Sequence, residues 1–191
     1  MQRRHHYESA FEHWLRERRR PYVAVHEARK ALLPAPEPDA RLKSFDFVLY
    51  GEGLNLLAEI KGRRIAPGRS GRRLESWATQ DDIGSLLAWE RLFGDGFAAA
   101  LVFVYWCDQQ PPAPLFEEVF EFKGRWYAVR VVLTRDYARI MKPRSPKWRT
   151  VHVPAAAFDR ACRPLVAALD GPAGQGPGRE RPLHPVPAPV A

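Results

Sequence analysis

Three charged residues in the first third of the sequence have the types and the spacing that metal-assisted hydrolysis requires. Asp46 stands among aromatic and aliphatic residues in SFDFVLY, and Glu59 and Lys61 end the apolar run LNLLAEIK. Side chains two residues apart on a strand point to the same face, so Glu59 and Lys61 are expected to lie side by side. If GEG, residues 51–53, forms a turn, the two segments make an antiparallel hairpin with Asp46 roughly opposite Glu59.

Two carboxylates at an apolar strand end repel each other, and burial also opposes their ionisation. A divalent cation removes the conflict, because two carboxylates, a backbone carbonyl and waters form the octahedral oxygen shell that suits Mg²⁺ or Mn²⁺. Lys61, next to such an ion, could hold or deprotonate an attacking water, or stabilise developing charge. The alternative is an ordinary ion pair between Glu59 and Lys61 at the edge of a hairpin.

Two further polar residues lie on helix faces that are otherwise apolar. Glu8 is on the apolar stripe of the first predicted helix, where a carboxylate is costly unless it has a partner. Glu12, one turn later, has a simpler explanation as an ion pair with Arg16. Gln80 is spaced to face the sheet together with the apolar residues of the second helix, where it could serve the site or cap a backbone group.

The distribution of positive charge favours a polyanionic partner. The net charge is +8 and the isoelectric point is about 9.9. The segment KGRRIAPGRSGRR, residues 61–73, has six basic side chains and no acid, which indicates either a phosphate-binding loop or a solvated loop. A second basic segment, MKPRSPKWR at 141–149, has the same two interpretations. The candidate nucleic-acid contacts are Arg63, Arg64, Arg69, Arg72, Arg73 and Trp77.

The elements that must position these residues follow from periodicity and turn signals. Helices are predicted over 5–20 and from Ser76, as N-cap, to about Phe93, and the strands of the first half over 22–26, 44–50, 54–61 and 97–106. Strands near 119–123, 125–133 and 149–153 follow, and then a helix over 154–169. The fold class is therefore α/β or α+β, with a central mixed sheet flanked by helices and a β-rich C-terminal extension.

We interpret residues 1–170 as a single domain with a core over about 5–106 and an extension over about 107–170. Residues 171–191, rich in proline and glycine, are predicted to be a disordered tail. No membrane helix or secretory signal is visible, and two distant cysteines indicate a reduced, cytoplasmic setting. The histidines at 5, 6 and 13 do not form a convincing zinc set.

Together, Glu8, Asp46, Glu59-Ile60-Lys61 and Gln80, in the element order α-β-β-β-α-β, resemble the PD-(D/E)XK nuclease superfamily. The arrangement is most similar to Holliday-junction resolvases and related restriction-endonuclease-like proteins. The resemblance covers residues 5–105. Phe45 stands where the named proline would be, and the region after residue 110 has no counterpart in it.

The resemblance implies roles for these residues. Asp46, Glu59 and the carbonyl of Ile60 would ligate Mg²⁺ or Mn²⁺, and Lys61 would position or activate the water. Glu8 would contact the metal through water or brace Lys61, and Gln80 would orient the lysine or a phosphate. Cleavage would leave a 5′-phosphate and a 3′-hydroxyl, and Lys61 is expected to have a lowered pKa if it acts as a base.

The leading hypothesis is therefore a Mg²⁺-dependent endonuclease acting on DNA. The alternatives are a nucleic-acid-binding module of the same fold without catalysis, and a basic protein-interaction domain. The residues leave open whether the nucleic acid is DNA or RNA, branched or linear. Cutting of two strands would favour a homodimer.

Overall fold

The computed structural model describes residues 5–25, 42–65, 74–111 and 117–170. Within these ranges the chain forms five helices and nine strands. The helices are α1 (His5–Glu17), α2 (Gln80–Phe93), α3 (Thr134–Ile140), α4 (Ala155–Ala161) and α5 (Leu165–Asp170). The strands are β1 (Tyr22–Ala24), β2 (Phe47–Leu49), β3 (Asn55–Ile65), β4 (Ala78–Thr79), β5 (Phe97–Cys107), β6 (Glu118–Phe122), β7 (Arg125–Leu133), β8 (Lys142–Ser145) and β9 (Thr150–His152). None of the helices in these ranges is long and apolar enough to span a membrane. The tail predicted over 171–191 lies outside them.

The main sheet has six strands in the order β1-β2-β3-β5-β7-β6. Strands β3 and β5 are parallel and are joined through α2, while the other neighbouring pairs are antiparallel. The sequence prediction of a mixed sheet flanked by helices is therefore confirmed, and the central strand β5 is apolar at every position, as expected for a strand buried on both faces.

Helices cover both faces of the central strands. On one face α1 packs Phe11 and Trp14 into a core with the even-numbered residues of β3 and β5. On the other face Ile83 and Leu86 of α2 join Tyr137 of α3 in a second core with the odd-numbered residues. Because both faces are buried, alternation of polar residues is absent from the middle of β3 and begins only at Glu59.

The β2–β3 hairpin has the arms that the sequence predicts, but its second arm is longer. Phe47 pairs with Ala58 and Leu49 with Leu56. Strand β3 continues to Ile65, since its parallel pairing with β5 extends as far as Ile65 opposite Cys107. The first part of the basic segment is therefore strand, not loop.

The second helix begins four residues later than the predicted cap at Ser76. Ser76 is instead buried, where its hydroxyl donates to the carbonyl of Val153 at 2.8 Å. Ala78 and Thr79 form β4, which pairs with β9, and Thr79 is the N-cap of α2. A strand pairing distant in sequence thus fixes where the helix begins.

The C-terminal region contains elements that the sequence analysis did not predict. The strand predicted near 149–153 is confirmed as β9, but it joins β4 and β8 in a small second sheet, and β8 and α3, which lies between β7 and β8, were not expected. The single helix predicted over 154–169 is two helices, α4 and α5, because Pro164 separates them and cannot continue the hydrogen-bonding pattern of α4.

Candidate active site

Asp46 and Glu59 occupy opposing positions on the β2–β3 hairpin. Phe47 pairs with Ala58, so the next pair in an antiparallel ladder is Asp46 and Glu59. The backbone N–H of Asp46 donates to the carbonyl of Ala58 at 2.9 Å. The backbone N–H of Ile60 donates to Asp46 Oδ2 at 2.6 Å, which fixes the orientation of this carboxylate beside β3. The structure thus places the two residues as the hairpin predicts.

Lys61 lies between two carboxylates. Its Nζ donates to Glu59 Oε1 at 2.9 Å, as expected for two residues on the same face of a strand, and to Asp82 Oδ2 at 2.7 Å. Only 12% of the Lys61 side chain is exposed, so these contacts lie largely away from solvent. Asp82, on α2, is a member of the site that the sequence analysis did not identify.

Helix capping explains why Asp82 is held there. Thr79 Oγ1 accepts the backbone N–H of Asp82 at 3.1 Å, and Asp82 Oδ2 accepts the backbone N–H of Thr79 at 3.0 Å. This reciprocal capping box satisfies two N–H groups at the start of α2, where the helix dipole also favours a negative charge. The same Asp82 oxygen therefore caps the helix and binds Lys61.

Lys43 is a second lysine at the same carboxylate. Its Nζ lies 3.1 Å from Asp82 Oδ1, so Asp82 binds a different lysine with each oxygen. The Lys43 backbone is attached to α2, because its N–H donates to Ser85 Oγ at 3.1 Å and its carbonyl accepts from Trp89 Nε1 at 2.7 Å. This residue adds a positive charge at the solvent-facing edge of the site, since about half of its side chain is exposed.

The N-terminal end of α1 approaches the site from the other face of β3. The ring of Tyr7 packs directly against Gly62, the residue after Lys61. A Cβ added to Gly62 would lie 2.2 Å from Tyr7 Cδ2. Glu8, the next residue of α1, is near enough for its charge to raise the pKa of Asp46. The close approach of Tyr7 to Gly62 therefore brings Glu8 to the neighbourhood of the paired carboxylates.

Glu12 is not part of this group. Its Oε1 accepts from Arg16 at 2.6 Å and from the hydroxyl of Tyr22 at 2.8 Å. The expected ion pair with Arg16 is confirmed, and of the two acids on α1 it is Glu8 that interacts with the candidate site.

Burial disfavours the ionised forms of both paired carboxylates. Burial, and next to it the charge of Glu59, raise the pKa of Asp46 to about 8, against the opposing effect of the Ile60 N–H. Burial also raises the pKa of Glu59, although Lys61 lowers it. Two buried carboxylates that disfavour joint ionisation form a donor set that a divalent cation fits, because the cation would neutralise both.

Lys61 differs from the expectation of a lowered pKa. Burial does oppose its charge, but Glu59 and Asp82 outweigh burial and raise the pKa of Lys61. Likewise, burial opposes the charge of Asp82, but Lys61 and the Thr79 N–H outweigh it and lower the pKa of Asp82. Without a bound cation, the contact between Lys61 and Asp82 therefore favours the ammonium and the carboxylate forms.

The protein would supply few side-chain ligands to a bound cation. In the described ranges, no group of three or more His, Cys, Asp or Glu side chains is arranged to hold a metal. The available oxygen donors are the carboxylates of Asp46 and Glu59 and the backbone carbonyl of Ile60, with waters completing the shell. Such a set suits Mg²⁺ or Mn²⁺, which retain several waters in protein sites.

Gln80 does not face the sheet as predicted. It is the first residue of α2, its side chain is exposed, and its backbone N–H donates to the carbonyl of Arg149 at 2.9 Å. The buried positions of the helix are Asp82, Ile83, Leu86 and Glu90. Asp82, four residues before Leu86, lies on this buried stripe, which places it beside Lys61.

Arg63 was expected to contact nucleic acid, but its surroundings are internal. Only 9% of its side chain is exposed. Its guanidinium carbon lies 4.0 Å from the ring centroid of Trp77, and its nitrogens donate to the carbonyls of Gly62, at 2.7 Å, and of Trp77. Trp77 in turn donates through its indole N–H to Glu75 at 3.1 Å. The buried Arg63 thus packs against the partly buried Trp77 and braces the end of β3.

Arg64 remains a surface residue. It is 57% exposed, contacts Asp108 at 3.2 Å and lies 4.6 Å from the ring centroid of Trp106. It is therefore accessible to a phosphate, in contrast to Arg63. The other predicted contacts, Arg69, Arg72 and Arg73, lie outside the described residues.

Comparison with known proteins gives a match in fold. No protein-family model and no curated protein matches the chain. Among solved structures, Hjc, a Holliday junction resolvase of the hyperthermophilic archaeon Archaeoglobus fulgidus, superposes with a TM-score of 0.50 at 12% sequence identity. The two chains share a nuclease-like fold. The match covers 86% of this chain and 98% of the resolvase. That is more than residues 5–106 could provide, so it extends into the region after residue 107.

Two site residues were missed from the sequence for different reasons. Asp82 had a visible signal, because Thr79 and Asp82 have the three-residue spacing of a capping box and precede the apolar positions of α2. Lys43 had none, since its contact with Asp82 spans 39 positions and depends on the packing of its segment against α2.

Proposed function

We propose that this chain is a divalent-metal-dependent endonuclease that hydrolyses phosphodiester bonds in DNA. The observation that carries the proposal is the convergence of Asp46, Glu59 and Lys61 at one position on the β2–β3 hairpin, on a nuclease-like fold. DNA is the favoured polymer because the chain is strongly basic and because the matched structure is a resolvase of DNA junctions.

Asp46, Glu59 and the carbonyl of Ile60 would hold Mg²⁺ or Mn²⁺. The cation would supply Lewis-acid stabilisation of the charge that develops on the phosphate during hydrolysis. Asp46 is already oriented for this role by the N–H of Ile60, and Glu59 by Lys61. Glu8 adds a third negative charge nearby, which favours the cation further.

Lys61 would act as a charged donor. An ammonium has three protons, so Lys61 can donate the third to a phosphate oxygen or to the attacking water while its contacts with Glu59 and Asp82 persist. Its raised pKa favours this role over that of a general base at neutral pH. Asp82 would be a positioning residue, because it binds the Lys61 ammonium and is not one of the proposed metal ligands.

Cleavage of supercoiled plasmid and of labelled oligonucleotides tests the proposal, with Mg²⁺ and with EDTA. We expect metal-dependent cleavage that leaves 5′-phosphate and 3′-hydroxyl ends and that falls by about a hundredfold or more in Asp46→Asn and Lys61→Ala. Lys123→Ala, an exposed lysine on the β6–β7 turn, is the matched control. Salt-sensitive DNA binding without cleavage would instead identify a binding module, and absence of both would leave a protein-interaction domain.

Cutting both strands of a duplex or junction at paired positions would require two such sites. We therefore propose that the active form on such substrates is a homodimer. Sedimentation of the chain with and without a junction DNA measures this, and a monomer that makes paired cuts would contradict it.

A further inference from the structure

The hairpin formed by β8 and β9 exposes an aromatic side chain that the fold does not use. Trp148 is 70% exposed, the highest value among the large apolar side chains that the structure describes, and it belongs to neither apolar core. The neighbouring residues of the turn, Pro146, Lys147 and Arg149, are exposed as well. An indole presented at the tip of a hairpin, with so little of its surface buried, is free to bind a partner.

The same hairpin is strongly basic. Residues 142–152 contain four cationic side chains and no acid. Lys147 Nζ lies 5.5 Å from the ring centroid of Trp148, and the Arg144 guanidinium carbon lies 5.1 Å from that of Trp77. Arg149 contacts Asp81 of α2 at 3.1 Å. Lys147 beside the exposed ring of Trp148, with the other cations of the same hairpin, forms a surface that suits a nucleic acid, with phosphates for the charges and a base for the ring.

The hairpin is attached to the candidate active site by backbone contacts. Thr150 of β9 pairs with Thr79, the N-cap of α2, and the carbonyl of Arg149 accepts the N–H of Gln80 at 2.9 Å. Three residues after Thr79, Asp82 holds Lys61. The hairpin is therefore anchored to the helix end that positions Lys61, which makes it a neighbour of the candidate site.

We propose that the tip of the β8–β9 hairpin binds DNA by stacking Trp148 on an unpaired base, and that the substrate of the candidate site is DNA with unpaired bases. A continuous duplex keeps its bases stacked on one another, so it would offer Trp148 only its backbone. Unpaired bases at a branch, a fork or a single strand leave a free face for the indole, while Lys147 and Arg144 bind the flanking phosphates.

This inference rests on the proposed action on DNA, but it is tested by binding in EDTA, where cleavage has no influence on the result. Fluorescence anisotropy measures Kd for three labelled DNAs of equal length: a continuous duplex, a fork with two unpaired arms, and a single strand. We expect Trp148→Ala to weaken binding of the fork and the single strand by about five- to a hundredfold and to change duplex binding by less than about twofold. Trp148→Phe should retain most of the affinity.

Lys123→Ala is the matched control, because Lys123 also lies beside an aromatic ring, 5.1 Å from the centroid of Phe122, on another exposed hairpin. It should bind all three DNAs like the wild type. A 2-aminopurine at the unpaired position gives a second readout: the wild type should quench its fluorescence by stacking, and Trp148→Ala should not. Circular dichroism confirms that each variant is folded.

Several outcomes would overturn the inference. Unchanged fork binding by Trp148→Ala, or an equal loss for fork and duplex, would show that Trp148 does not recognise unpaired bases. If the wild type is a dimer and Trp148→Ala is a monomer, the tip binds a second copy of the chain instead of DNA. If Trp148→Ala weakens binding to anionic vesicles but leaves binding to all three DNAs unchanged, the tip binds a membrane surface instead. Cleavage that persists in Lys61→Ala would refute the proposed nuclease site. It would not affect the inference that Trp148 binds unpaired bases, which is measured by binding in EDTA.

Discussion

Asp82 Oδ2 lies 2.7 Å from Lys61 Nζ while it also accepts the N–H of Thr79 that begins α2. One oxygen atom thus joins the candidate catalytic lysine on β3 to the N-terminus of the helix. The position of Lys61 therefore depends on the helix beginning at Gln80, and the cap of the helix depends on an acid that the site also uses.

Asp82→Asn tests this shared role. The variant removes one of the two charges that hold Lys61 and weakens the capping box, so we expect cleavage to fall by about tenfold or more and the free energy of unfolding to fall by about 1–2 kcal/mol. Because Asp82 raises the pKa of Lys61, the alkaline limb of the pH–rate profile should also move to lower pH. Cleavage rates against pH and urea unfolding measure these effects.

Asp81→Asn is the control for Asp82. Asp81 is also an acid in the first turn of α2, but its side chain is about half exposed and its partner is Arg149. We expect Asp81→Asn to change the unfolding free energy by less than about 0.5 kcal/mol. Equal effects of the two substitutions on the pH–rate profile would contradict a specific contact between Asp82 and Lys61.

The burial of Asp46 next to Glu59 should make the free energy of unfolding depend on pH. The pKa of Asp46 rises from 3.8 to about 8 on folding without metal, so the folded chain binds this proton more tightly and loses stability as pH rises across that window. Asp46→Asn removes the effect, and we expect the variant to be more stable than the wild type by about 1–3 kcal/mol near pH 8 in EDTA.

Urea unfolding at several pH values measures this difference. The gap between Asp46→Asn and the wild type should widen from about pH 4 to about pH 8. Glu52→Gln, at an exposed turn position, should follow the wild type across the range. A gap that is independent of pH would mean that Asp46 is ionised throughout and would contradict its raised pKa.

Divalent cations should stabilise the folded chain through the same two carboxylates. Mg²⁺ or Mn²⁺ at about a hundred times its Kd should add about 2.7 kcal/mol to the free energy of unfolding and raise Tm by several degrees. Asp46→Asn and Glu59→Gln should each lose most of this shift, whereas Glu12→Gln should keep it, because Glu12 pairs with Arg16. A shift that survives in both site variants would place the cation elsewhere.

Gly62→Ala should separate α1 from β3. Its new methyl group would collide with the ring of Tyr7, so we expect a loss of about 1–3 kcal/mol in stability and a lower cleavage rate as Glu8 moves away. Gly84→Ala is the matched control: it lies in α2, nothing is within 4 Å of its added Cβ, and alanine favours a helix. Urea unfolding compares the two. Equal stability of the variants would mean that Tyr7 does not require the glycine.

Short-range patterns in the sequence were enough to predict the central sheet and part of the site. The alternation of side chains along β3 predicted that Glu59 and Lys61 share a face, and the turn at 51–53 predicted Asp46 opposite Glu59. The helical spacing of Glu12 and Arg16 predicted their ion pair. Each of these relations depends on the geometry of one helix or one hairpin, which local sequence encodes.

The remaining features were decided by contacts between distant segments. The pairing of β4 with β9 decided where α2 begins, and the packing of α2 on the sheet put Asp82 rather than Gln80 on the buried face, beside Lys61. The continuation of β3 along β5 carried Arg63 into the interior. A helix start and a strand end are marginal in local free energy, so tertiary pairing shifts them by a few residues. The face of a helix that packs inward is likewise chosen by tertiary contacts. For this reason the local sequence determined the carboxylate pair and the lysine, while only the tertiary structure decided that Asp82 joins Glu59 in holding that lysine.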